Sequence, residues 1–200
     1  MNRDDVFLQV IVFSLLFVGA YIYLVKRDEL QLKCVISSVD GNKYCIRDRK
    51  QLSAAADLLA NVSNKCNALA KGLYKKYPDK ENVLRLYDGF NPSQIVETLP
   101  TSEYTAYSEN KGEKLAFCLN KKKENNENLI DENTLTFVAL HELAHIATKS
   151  IGHKTEFWEN FKFLLKEASE MGLYTPHDYN KKPEEYCGMK ISDNPYYDYK

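Results

Sequence analysis

Three of the four histidines in this chain fall between positions 141 and 153. Two of them open and close the run His141-Glu142-Leu143-Ala144-His145. On a helix, residues four apart lie one above the other, so His141 and His145 aim their imidazoles at one point. Neutral imidazole nitrogen suits Zn²⁺. Glu142 projects from the neighbouring surface, beside such a metal rather than on it. A carboxylate there can take a proton from a water that the metal has made more acidic. H-E-x-x-H on a helix is therefore the spacing expected of zinc-dependent peptide hydrolysis. The plain rival is a buried helix with two hydrogen-bonded histidines, and it does not explain a third histidine so close by.

Catalytic zinc takes three protein ligands and keeps one position for water. His153 is the leading third ligand. It follows Gly152, a residue suited to a left-handed helix exit that turns the chain back. Glu156, one turn later, and His177, in an irregular segment, compete for the role.

Several elements must position these groups. The metal helix is expected to start near Asp131, whose short acid suits a helix N-terminus, and to end before Gly152. A second amphipathic helix over 155–171 turns Phe157, Phe161, Leu164, Leu165 and Ala168 inward, with Phe157 and Trp158 packed under the metal helix. Residues 51–77 form a long helix on the stripe Leu52, Leu59, Val62, Cys66, Leu69 and Leu73, stopped by Pro78. Residues 112–120 read as a strand, 82–87 as a short strand and 121–128 as a solvated polar loop. Residues 33–49 read as a hairpin about Asp40-Gly41. A two-residue turn there sets Cys34 opposite Arg47 and Cys45 opposite Ile36, so no disulfide is expected between them. The tyrosine-rich stretch 173–200, broken by three prolines, is expected to wrap the domain as an irregular tail; its tyrosines are candidates to stabilise an oxyanion, and none stands out.

The chain begins differently. Residues 6–25 carry no charge and are long enough to cross a hydrocarbon core as a helix. A cleaved signal peptide fits less well, because the apolar run continues past Ala20 and Asp4-Asp5 spoil a basic leader. The expected organisation is an anchor with flanks over 1–31 and an α+β domain over 32–200. Lys26, Arg27 and Lys33 follow the span, and the positive-inside bias sets the domain on the cytoplasmic side. The sequon Asn61-Val62-Ser63 points the other way, but it falls within the long helix. A net charge of −1 gives no field that favours nucleic acid. The five cysteines show no C-x-x-C pair, and their odd number leaves at least one thiol free within a chain.

The run HELAHIATKSIGHKTEFW, residues 141–158, resembles the zincin metallopeptidases of the WLM/SprT-like type, which pair H-E-x-x-H with a nearby His and a following F-W or F-Y. The strand-loop-helix run from Lys114 and the end YCGMKISDNPYY are similar to membrane-anchored proteins of large DNA viruses. The zincin resemblance implies a small sheet packed on helices, His141, His145 and His153 as zinc ligands, and Glu142 as catalytic base. It also implies that 112–120 lines the cleft and pairs with an extended protein or peptide substrate. The gap from His145 to His153 is longer than in familiar members. Two alternatives stand beside this reading: a silent structural or assembly protein on a zincin scaffold, with a virion membrane as one location, and a secreted peptidase freed by signal cleavage.

Overall fold

Leu59, Val62, Cys66, Leu69 and Leu73 recur at spacings of three and four and form the buried stripe of a 25-residue helix. The computed structural model describes residues 3–26, 32–123 and 128–198. In chain order they form α1 (Arg3–Lys26), β1 (Leu32–Ile36), β2 (Lys43–Arg47), α2 (Leu52–Lys76), α3 (Glu81–Gly89), β3 (Ile95–Glu97), β4 (Ala106–Glu109) and β5 (Lys114–Phe117). α4 (Glu132–Ala147), α5 (Thr155–Glu170), β6 (Glu184–Tyr186), β7 (Met189–Ile191) and a 3₁₀ turn (Pro195–Tyr197) follow. The architecture is mixed α+β with small sheets. Parts of two expected features, the basic flank at 27–31 and the polar loop at 124–127, lie outside the described residues.

One hydrophobic core runs from Tyr44 on β2 to Cys187 after β6, with α4 through its middle. Leu135, Ala139, Leu143 and Ala144 of α4 are fully buried. Asp131 caps this helix as expected, its carboxylate accepting from the Thr134 amide at 2.8 Å. By contrast, Phe7–Leu24 of α1 buries nothing against the rest of the chain and has a mean hydropathy of 2.2. It is long and apolar enough to cross a membrane, a description that a signal sequence also meets.

Four expectations need correction. Residues 82–87 are helical, within α3. Val83 and Leu86 are both buried, and three residues apart they share a helix face but would point to opposite faces of a strand. The hairpin turns through four residues, not two. Ser37 pairs with Asn42, Gly41 takes the left-handed conformation (φ 72°), and Cys34 stands opposite Cys45, disulfide-bonded to it. The larger loop is held from outside the hairpin, by Asp57 of α2, which accepts hydrogen bonds from Ser37 and Ser38. A second disulfide joins Cys118 to Cys187, and Cys66 is a buried free thiol.

Third, the strand expected to line the cleft is not at a sheet edge. The main sheet has the order β3-β5-β4, parallel between β3 and β5 and antiparallel between β5 and β4. β5 is central, so both its edges are occupied, and residues 115–120 are buried on both faces. β4 is the edge strand instead. The fourth lies in the tail, where β6 and β7 form a short hairpin.

Buried ionic groups tie β1/β2 to this sheet. Glu97 of β3 accepts from the Arg47 amide at 2.7 Å and pairs with the Arg49 guanidinium. Arg47 also donates to the Thr98 carbonyl and Arg49 to the Asn120 side chain, each at 2.7 Å. With these partners the buried charges are solvated by the protein itself. At the opposite end, a Cβ on Gly112 would lie 2.5 Å from the Gly89 carbonyl oxygen, so only glycine lets the β4–β5 turn meet the end of α3.

Candidate metal centre

The helical spacing of four sets His141 and His145 on one face of α4, and the chain then leaves the helix at Thr148. Gly152 has φ 80°, the expected left-handed turn, and His153 folds back over the helix. Its Nε2 lies 3.1 Å from the Nε2 of His141 and 3.1 Å from that of His145. Four tetrahedral ligands at zinc–nitrogen distances of about 2.0–2.1 Å would stand roughly 3.3 Å apart, so the three nitrogens have the spacing such an ion needs. They form the one cluster of potential metal ligands among the described residues.

The two competitors for the third position are elsewhere. The Glu156 carboxylate accepts from the Lys149 and Ser150 amides and the Ser150 hydroxyl at 3.0–3.2 Å. It organises the loop that carries His153 rather than joining the histidines. His177 is bound through its Nε2 to the Lys182 carbonyl at 2.8 Å.

Electrostatics favour neutral ligands. Burial, reinforced by the neighbouring histidines, depresses His141 to about 3 and His145 to about 4, where desolvation leads again. Both are therefore unprotonated at neutral pH and present lone pairs. Phe157 of α5 supplies the apolar floor, its ring 4.4–4.8 Å from all three imidazoles. It is buried as expected, whereas Trp158 is 44% exposed and tilted beside His153. Trp158 donates its indole N–H to the His153 carbonyl at 3.1 Å, so its role is to hold the loop and not to fill the core.

Glu142 is 6% exposed, and burial raises its carboxyl to about 7. The charge of a metal ion beside it would draw that value down again. It sits with the histidines at the base of a cleft of about 1050 Å³. Ala106, Tyr107, Ser108 and Glu109 of the edge strand β4 form the facing wall. The Ser108 hydroxyl has no hydrogen-bond partner among the described residues.

Sequence reasoning missed Lys111. Its ammonium donates to the carbonyls of His145, Thr148 and Ser150 at 2.7–3.3 Å, capping the C-terminal end of α4. The only local signal was Asn110-Lys111-Gly112, which reads as a turn and takes three successive positive φ angles. Nothing in that tripeptide names the helix it caps.

The chain is similar to three proteins of large DNA viruses. The uncharacterized protein R325 of Acanthamoeba polyphaga mimivirus is 27% identical over 186 residues, covering 88% of this chain and 91% of that protein. Protein 136R of invertebrate iridescent virus 6 is 46% identical over 57 residues, 28% of this chain and 32% of its own length. Protein 042R of invertebrate iridescent virus 3 is 43% identical over 61 residues, 30% and 36% respectively. The viral resemblance drawn from the sequence thus has relatives behind it. No family model and no solved structure matches the chain.

Proposed function

We propose that this chain is a zinc-dependent peptidase of the zincin type, held to a membrane by α1 and acting on protein or peptide substrates. The observation that carries the reading is the convergence of three imidazole nitrogens beside a buried carboxylate, at the base of a cleft with an edge strand for a wall. His141, His145 and His153 would hold the metal. Bound there, Zn²⁺ supplies a Lewis acid that acidifies water and polarises a carbonyl. Glu142 takes the proton of the attacking water and passes it to the leaving amine. β4 offers backbone groups to an extended peptide, taking the part first expected of β5. Phe157 and the apolar floor exclude water from behind the histidines.

The two disulfides weigh against the cytoplasmic placement drawn from the flanking charges, because thiols stay reduced there. We therefore place the domain on an oxidising side of the membrane. The sequon does not bear on this, since Asn61 lies within α2 and its side chain donates to Glu132.

The test is full-length protein in detergent, assayed for bound zinc and for cleavage of a mixed peptide library, with Glu142→Gln as control. One zinc per chain and cleavage lost in the variant support the reading. Zinc with no cleavage of any peptide would favour the silent scaffold, and no zinc in protein never exposed to chelator would sink the peptidase reading and leave the scaffold ahead.

A further inference from the structure

A second cavity, of about 320 Å³, adjoins the cleft and shares Ala106, His141 and Glu142 with it. Most of its wall is apolar, with Phe137 and Val138 of α4, Trp158 and Phe161 of α5, and Met189 and Ile191 of β7, while Thr105 and Ser192 add hydroxyls. The β7 wall is clamped at both ends. Before it, Cys187 is disulfide-bonded to Cys118, the Cys187 amide donates to the Asn120 carbonyl at 2.9 Å, and the Tyr186 hydroxyl donates to the Thr105 carbonyl at 3.0 Å. After it, the Asn194 side chain donates to the Tyr174 hydroxyl and the His177 carbonyl at 2.9 and 2.8 Å. The strand between these clamps is thus held at a set distance from α4 and α5, leaving the cavity open instead of collapsed. Asp193 stands in its lining as the charged group besides Glu142.

We propose that this cavity is a specificity pocket that receives one large apolar side chain, aromatic or long aliphatic, of the residue next to the bond being cut. The assignment rests on the peptidase reading above. The pocket shares His141 and Glu142 with the cleft, so a chain lying along β4 with its scissile carbonyl at the histidines has a neighbouring side chain at the pocket mouth. The volume lies at the low end for small-ligand pockets, which fits a single side chain. Burying an acidic side chain against Phe137 and Phe161, with Asp193 and Glu142 close by, is opposed both by desolvation and by like charge.

Trp158 is the sole tryptophan of the chain and lines the pocket, so its fluorescence reports occupancy without any turnover. Full-length protein in detergent is titrated with N-acetyl-phenylalaninamide, N-acetyl-leucinamide and N-acetyl-aspartamide. The expected result is a saturable shift of Trp158 emission with the first two and none with the third. Ile191→Asp, on the less buried hairpin wall, should weaken the apolar amides about tenfold while the far-ultraviolet circular dichroism stays unchanged. In peptide cleavage the expected preference for Phe or Leu over Ala beside the cut bond is roughly ten- to two-hundredfold. No emission change with any amide, equal response to the aspartamide, or cleavage indifferent to the neighbouring side chain would each overturn the pocket. If Trp158 responds selectively yet no peptide is ever cut, the pocket stands as an apolar binding site and the peptidase reading fails instead.

Discussion

The Nε2 atoms of His145 and His153 lie 3.1 Å apart although the two residues are eight positions apart in the chain. No regular helix brings such a pair together, so the loop between them must be held from outside. Glu156 gathers its amides from the α5 side. Lys111 gathers its carbonyls from the β4–β5 turn. The long histidine spacing is accommodated by these two charged side chains.

Zinc affinity should depend on that loop. Glu156→Ala leaves all three histidines in place but frees the Lys149 and Ser150 amides. Affinity, measured by competition with a chromophoric chelator, should fall about 10–100-fold, as for other groups that orient metal ligands. His153→Ala should fall further. Unchanged affinity in Glu156→Ala would mean the loop needs no such support.

Glu142→Gln separates proton transfer from metal holding. Zinc content should match the wild type while the cleavage rate drops by about 10²–10⁴. Full activity in the variant would remove Glu142 from the proposed chemistry.

Lys111→Met removes a cation from the C-terminal end of α4 and three hydrogen bonds with it. The expected cost is about 1–2 kcal/mol, read as a lower midpoint in thermal or urea unfolding. Lys111→Arg should recover part of it, since the charge remains near the same carbonyls.

Acid sensitivity should trace to Asp57. Hydrogen bonds from Ser37 and then Ser38 hold its carboxyl below the ordinary 3.8. The folded value is thus lower than the unfolded one. The stabilisation is complete above the unfolded value and is lost as pH falls through the folded one. Asp57→Asn should therefore be less stable than wild type at pH 7, with the gap closing below about pH 4 in urea unfolding followed by circular dichroism. A gap independent of pH would assign the effect to packing.

The Cys118–Cys187 bond closes a loop of 69 residues. By chain entropy alone its loss costs about 4 kcal/mol. Cys118→Ser/Cys187→Ser should show this in denaturant unfolding, and reduction of the wild type should reproduce it. A reduced wild type as stable as the oxidised one would argue that the hairpin docks by its other contacts.

What the sequence determined by itself was local. The stripe of α2, the cap at Asp131, the facing of His141 and His145 and the left-handed turn at Gly152 all follow from spacings of a few residues. Backbone geometry over one or two helical turns converts such spacings into directions without reference to the rest of the chain. The tertiary structure decided what depends on partners far away. Asp57 reset the β1–β2 loop and so opposed Cys34 to Cys45. Val83 and Leu86 chose a helix because a core lay on one side of them. β3, about twenty residues before β5, took the strand edge that a substrate was expected to use. Cys187 met Cys118 and gave the candidate centre a second, apolar chamber. These outcomes are set by which surfaces bury together, a property of contacts many residues apart that no local spacing encodes.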